Sequence, residues 1–167
     1  MASNHIATYL NDHLSGAVIA IELLEHLEGG YANTPIAEFF SKLRAEIEAD
    51  RQELESLMDH LQIAQSRTRK ASAWFAEKFT ELKLRLDDRA GGDLRLFESL
   101  EALSLGIEGK RSLWLALSKV AEETPTLRAV DYERLTQRAE EQRSRVEVMR
   151  LDTARTALAF TPQAIET

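Results

Sequence analysis

Apolar residues recur every three or four positions along most of this chain, which predicts amphipathic helices and gives no sign of strands. A chain of 167 residues with this pattern suits a single domain with its own core, so we expect one helical-bundle domain over residues 1–167. The predicted helices cover about residues 4–28, 35–63, 66–86, 93–122 and 131–160.

Helix breakers and caps separate these stretches. We expect Gly29 and Gly30 to end the first helix through a left-handed C-terminal backbone, which glycine adopts without strain. Thr34 before Pro35 predicts the N-cap and first turn of the second helix. So short a connection makes the first two helices antiparallel neighbours. The N-caps predicted for the last two helices are Asp93 and Asp131.

Polar residues interrupt the apolar stripe of each of the four long helices. A bundle tolerates polar groups in its core only if they satisfy one another or bind something. This layer is therefore where we expect any activity to lie. The interrupting residues are His13, Asp50, Glu108 with Arg111, and Gln142 with Arg143.

The segment at 66–86 is long enough to return along the bundle, in which case the next long helix runs parallel to the second. In helix lengths and order the chain resembles the ferritin-like superfamily. The resemblance implies a four-helix bundle of ferritin-like topology, with an additional helix in the crossover that packs outside the core. A net charge of +4 on 66–86 and −4 on 35–63 favours contact between them. An up-and-down five-helix bundle is the alternative.

Counting along this topology places the interruptions at one height. Asp50 lies fifteen residues past Pro35, and Glu108 lies fifteen past Asp93. Antiparallel pairing of the first two helices brings His13 to the height of Asp50. We therefore predict a polar core layer made of His13, Asp50, Arg51, Glu108, Arg111, Gln142, Arg143 and Glu147.

Ferritin-like di-metal proteins bind their ions at this height through glutamates and two Glu-x-x-His motifs. This chain departs from that pattern, because no histidine lies three residues after a glutamate. Arg51, Lys110, Arg111 and Arg143 share the height and bring positive charge, so we expect a self-satisfied salt-bridge layer without a cofactor. A di-iron or manganese centre is the alternative, and its ligands would be Glu46, Asp50, Glu108, Glu147 and His13.

Gly106 and Gly109 lie inside the third long helix, where each glycine costs about 1 kcal/mol relative to alanine. We expect close helix packing to be the reason, and interpret Gly16 in the first helix likewise. The alternative is a ligand pocket beside these glycines.

Composition narrows the function further. With 21 Lys and Arg against 28 Asp and Glu, the net charge of −7 disfavours a nucleic-acid partner. The chain has no cysteine, which excludes thiolate chemistry and fits a reducing compartment, so we expect a cytoplasmic protein. The first residues lack a secretory signal, and the longest apolar run, 17–21, is too short to span a membrane.

These features favour a non-catalytic ferritin-like helical bundle with a structural or partner-binding role, which we expect to be a homodimer. A carboxylate-bridged di-metal binding protein or oxidoreductase is the first alternative. A small-ligand bundle is the second, and it requires a cavity lined by Gly106 and Gly109.

Overall fold

The computed structural model describes residues 4–66 and 92–160, and in these residues it contains helices and turns but no strand. The all-α prediction is confirmed for that part of the chain. No helix there is long and apolar enough to cross a membrane. The helix predicted at 66–86 lies outside the described residues, except for Ser66. The described residues form four α-helices, α1 (Asn4–Gly30), α2 (Pro35–His60), α3 (Gly92–Ala121) and α4 (Tyr132–Ala157), and a 3-10 turn at Pro125–Leu127 precedes α4.

The helix ends follow the capping pattern at two of the predicted places. Thr34 is the N-cap of α2 and Pro35 begins the helix. Asp131 caps α4 by accepting a hydrogen bond of 3.0 Å from the backbone N–H of Arg134. The prediction for Gly29 and Gly30 is wrong, because α1 includes both and none of the described glycines has a positive φ. Asn33 takes the left-handed conformation instead, with φ of 67°, which asparagine tolerates.

Side-chain pairs show which way the helices run. On α2 and α4, Glu46 pairs with Arg145 at 3.0 Å and Glu53 pairs with Arg134 at 2.7 Å, so the two helices are antiparallel. α3 and α4 are antiparallel as well, because the short connection at 122–131 joins them as a hairpin. It follows that α2 and α3 point in the same direction.

The described chain ends at residue 66 and resumes at residue 92, and at both places it lies near an end of α1. The backbone N–H of Ser66 donates to Oδ1 of Asn11 at 2.6 Å, and Nδ2 of Asn11 donates to the carbonyl of Ala64 at 3.2 Å. At the other end of α1, the hydroxyl of Tyr31 donates to the carbonyl of Gly92 at 3.4 Å. The described chain therefore leaves beside the start of α1 and resumes beside its end.

The buried apolar residues form two clusters, one at each end of the bundle. The first contains Trp114 and Tyr132, whose ring centroids lie 6.4 Å apart. The second contains Phe40 and closes around the connection between α1 and α2. On α2 the clusters are separated by Asp50, which lies between Ile47 of the second and Leu54 of the first. The core is thus divided at the height where the polar layer was predicted.

Within residues 4–66 and 92–160, no close helix contact accounts for the glycines of α1 and α3, in contrast to the expectation. A Cβ atom added at Gly16, Gly106 or Gly109 would have no heavy atom of a neighbouring element within 4 Å. The glycines border open space.

Replacing Gly106 by alanine should therefore raise the free energy of unfolding by about 0.5–1 kcal/mol, since the helix gains propensity without a clash. Urea denaturation of the variant and the parent measures the difference. Gly92→Ala, at the first residue of α3, is the matched control and should change stability less. A loss of stability in Gly106→Ala would mean that the backbone at this position needs close contact.

Candidate functional site

Asp50 is a carboxylate in the interior of the bundle, and it is only 3% exposed. Its Oδ2 accepts hydrogen bonds from Nζ of Lys110 on α3 and, at 3.1 Å, from Nε2 of Gln142 on α4. The ammonium of Lys110 also donates to Oε1 of Gln142. Both ends of the Gln142 amide are used, which fixes its orientation. The three side chains form a closed triangle that joins α2, α3 and α4.

A second cation approaches Asp50 from α4. The guanidinium of Arg138 is within ion-pair distance of Oδ1 of Asp50, although the contact lacks hydrogen-bond geometry. Its side chain is 28% exposed, so water reaches part of it. We call Asp50, Lys110, Arg138 and Gln142 the buried cluster. It contains one carboxylate and two cations.

Burial governs the ionisation of Lys110, whose side chain is 14% exposed. Removal from water lowers the pKa of its ammonium, and the carboxylate of Asp50 opposes that effect. Arg138 adds to the lowering because it is a second positive charge nearby. Glu46, which itself pairs with Arg145, is a second negative charge that opposes the lowering, but desolvation is the largest effect on Lys110.

The other residues of the predicted layer lie nearer the surface, on α3 and α4. Glu108 accepts hydrogen bonds of 3.0 and 3.1 Å from Arg111 and lies 3.7 Å from Arg143, and these partners lower the pKa of its carboxyl. Glu147 accepts bonds of 2.8 and 3.0 Å from Arg150. These contacts form separate ion pairs and do not continue the buried cluster.

Two members of the predicted layer face other surroundings. Arg51 pairs with Glu55 at 2.9 Å along α2. His13 is half-buried on α1, where its ring meets that of Tyr9 edge-on, with centroids 4.7 Å apart. Burial lowers the pKa of His13, and the nearby charge of Asp12 opposes this. Of the eight predicted residues, the structure therefore brings only Asp50 and Gln142 into direct contact across helices in the interior.

The five candidate metal ligands do not converge. Glu46 pairs with Arg145, and Asp50, Glu108 and Glu147 each have their own cationic partners. Within residues 4–66 and 92–160, no three histidine, aspartate or glutamate side chains are grouped so that they could hold a metal ion. Arginine and lysine occupy the positions around these carboxylates where a cation would bind.

A cavity of about 250 Å³ lies beside the buried cluster, between α1, α2 and α3. Its walls are mainly aliphatic and include Gly16, Gly106 and Gly109, which are three of the six described glycines at which an added Cβ would meet no atom within 4 Å. On α1 the cavity wall extends from Tyr9 to Ala20 and includes Gly16, Ala17 and Ala20. α1 thus supplies small residues at the height where the other helices supply polar ones.

The polar part of the cavity wall comes from few residues. Lys110 and Asp50 of the buried cluster reach it, and so do His13 and Arg51. Trp114 also lines it, and its indole Nε1 is a buried donor without a hydrogen-bond partner in the described chain. The cavity therefore joins a wide apolar wall to a charged end.

No known protein family, curated protein or solved structure matches this chain. The function is therefore inferred from the buried cluster and the cavity alone.

The predicted layer omits two residues of the buried cluster, Lys110 and Arg138, although the apolar periodicity of the sequence indicates that both face inward. Lys110 follows Ile107 by three positions and precedes Trp114 by four, so it continues the apolar stripe of α3. Arg138 stands three after Leu135 and four before Gln142, which also places it on the inner side of α4. Lys110 was placed at the height of the layer but not among its members, and Arg138 was overlooked, because lysine and arginine are assumed to be on the surface.

Asp50→Leu should lower the free energy of unfolding by about 3 kcal/mol or more, because it leaves two cations without their carboxylate. The double variant Asp50→Leu/Lys110→Met should recover part of this loss, since it removes one stranded charge. Urea denaturation measures both. Asp59→Leu, on the exposed side of α2, is the control and should stay within about 0.5 kcal/mol of the parent. An unchanged stability in Asp50→Leu would contradict the buried ion pair.

The hydrogen-bonded ion pair of Glu147 predicts that the folded state loses stability at acid pH. Hydrogen bonds from Arg150 are the main cause that lowers the pKa of its carboxyl from 4.5 to about 2. Because the folded pKa is the lower one, the contribution to stability is complete above the unfolded pKa and is lost as the pH falls towards 2. The parent should therefore lose more stability between about pH 5 and pH 2 than Glu147→Gln does.

Denaturation curves measured across that pH range provide the comparison. Glu123→Gln, at an exposed glutamate after α3, should follow the parent. Equal pH dependence of Glu147→Gln and the parent would exclude this role for Glu147.

Proposed function

We propose that this chain is a non-catalytic helical bundle that binds a small, largely apolar molecule in the cavity between α1, α2 and α3. The observation that carries the proposal is that three helical glycines on two helices all border the same cavity. A β-carbon at any of them would be sterically allowed. Their effect is to keep volume open.

The size of the cavity supports a compact ligand. Apolar cavities of about 150 Å³ take up benzene, and pockets for drug-sized molecules begin at about 300 Å³. The volume of about 250 Å³ here lies between these two. A molecule with roughly the bulk of one ring or a medium alkyl chain fits that range.

The glycines also lower helix stability. The open volume beside them offsets this loss only when a ligand binds there. Each lowers helix stability by about 1 kcal/mol relative to alanine. The aliphatic wall beside them includes Ile19 and Ala20, which are only partly buried, so the described residues leave part of their surface uncovered. A bound apolar molecule would supply those contacts and remove the exposed wall from water.

The helix directions support a ferritin-like topology, because α2 and α3 are parallel and α2 pairs antiparallel with α4. We keep that topology as part of the proposal. The di-metal alternative has less support, because the carboxylates at that height are paired with arginine or lysine.

The expected homodimer stays a prediction. α4 offers a candidate surface for it, since Val148 is 72% exposed and Leu151 is 58% exposed on the same helix. Whether this surface binds a second copy is a separate question from the cavity.

Titration calorimetry with 1-octanol and with indole tests the ligand site. We expect saturable binding of at least one of these probes to the full chain. Gly106→Leu, which places a side chain in the cavity, should weaken that binding by about tenfold or more, because it removes the space.

The matched control is Ser112→Leu, which adds the same side chain to an exposed position of α3 outside the cavity. It should bind like the parent. Binding that is equally strong in Gly106→Leu and Ser112→Leu would place the probe elsewhere, and no binding to the parent would refute the proposal.

A further inference from the structure

The geometry points to a ligand with a carboxylate on its apolar body, held by the ammonium of Lys110 at the charged end of the cavity. This inference rests on the proposed function, since it names the chemical class of the molecule that the cavity binds. The class is that of small monocarboxylates with an alkyl or aromatic tail.

Donor counting on Lys110 is the first argument. An ammonium has three N–H donors. Among the described residues, its hydrogen bonds go to Asp50 and Gln142, which uses two of them. Lys110 is one of the residues that line the cavity. A carboxylate in the cavity could accept the third N–H.

Charge balance is the second argument. In the buried cluster the single carboxylate of Asp50 faces both Lys110 and Arg138, so the cluster carries one positive charge in excess. A charge held away from water is costly unless it is paired. A bound anion would supply the missing negative charge and would counter the desolvation of Lys110. A neutral ligand could not do this, and a cationic one would add to the excess.

The remaining charged groups of the cavity wall are also compatible with a bound carboxylate. The half-buried His13 presents an N–H donor, and Arg51 is a cation whose guanidinium already pairs with Glu55. Asp12 is the one other acidic residue on the wall besides Asp50, and it is exposed to water, which screens its charge. The rest of the wall is apolar and suits a hydrocarbon tail.

Three unbranched probes with eight carbons each separate the effect of the head group from that of the tail: octanoate, 1-octanol and octylamine. Titration calorimetry on the full chain at about pH 7 should give an affinity for octanoate at least about tenfold higher than for the other two, because a charge-assisted hydrogen bond and an ion pair are added. Lys110→Met should lose this preference and keep its affinity for 1-octanol. Lys119→Met, at an exposed lysine of α3, is the control and should keep the preference.

A second measurement does not depend on the folding of a variant. In protein labelled with ¹⁵N-lysine, octanoate should shift the Nζ resonance of one buried lysine, and 1-octanol should shift it much less. A shift confined to exposed lysines, which octanoate meets at the surface, would overturn the inference.

The outcomes distinguish the two proposals. Equal affinity of the parent for octanoate and 1-octanol would overturn the carboxylate inference and leave the proposed function standing. Absence of binding by all three probes would overturn both. Trp74, Phe75 and Phe79 are the aromatic residues of the segment 66–86. Binding that appears only after all three are replaced by alanine would make residues of this chain the occupant of the cavity, and this too would overturn both.

Discussion

The charge of Asp50 is the constraint on which the rest of this bundle depends. A carboxylate that is 3% exposed must be met by donors at its own height, or the folded state bears a desolvation cost of several kcal/mol. Lys110 of α3 and Gln142 of α4 meet it, so three helices are fixed in one register. Aliphatic contacts tolerate a shift of one helix along another far better than this triangle does. Specificity of register, more than net stability, is what such a cluster contributes.

α1 is outside that constraint. It contributes no side chain to the triangle, and at the same height it has Gly16 and Ala17 beside the cavity. The same level of the bundle is therefore a charged cluster on one side and an open volume on the other. The proposed function follows from their adjacency, because a ligand in the cavity would contact the aliphatic walls and the ammonium of Lys110 at once.

How far the sequence predicted this arrangement depends on which physical signal each residue carries. Periodicity located the four helices to within a few residues, and it marked Asp50 and Gln142 as polar residues facing inward. Counting along the helices predicted the height of Glu108 closely but not the direction of its side chain. One residue along a helix rotates the side chain by about 100°. Glu108 points to an ion pair at the rim. The role of Lys110 needed the converse assumption, that a lysine on an apolar stripe is buried. The glycines show a different limit, because sequence cannot distinguish a glycine that admits a neighbour from one that leaves a space.

The hydrogen bonds at the two ends of α1 have a consequence for the path of the chain. Ser66 is fastened to Asn11 and Gly92 to Tyr31, so the connection from α2 to α3 departs and arrives on the one helix that the charged triangle does not hold. These hydrogen bonds to the ends of the connection thus help to position α1, as the charged triangle positions the other three described helices. Closing that connection onto α1 costs entropy once, and the cost rises only slowly with its length. A movement of α1 away from the bundle would therefore break the hydrogen bonds at both ends of the connection. The cavity wall that α1 forms is thus coupled to the longest connection in the fold.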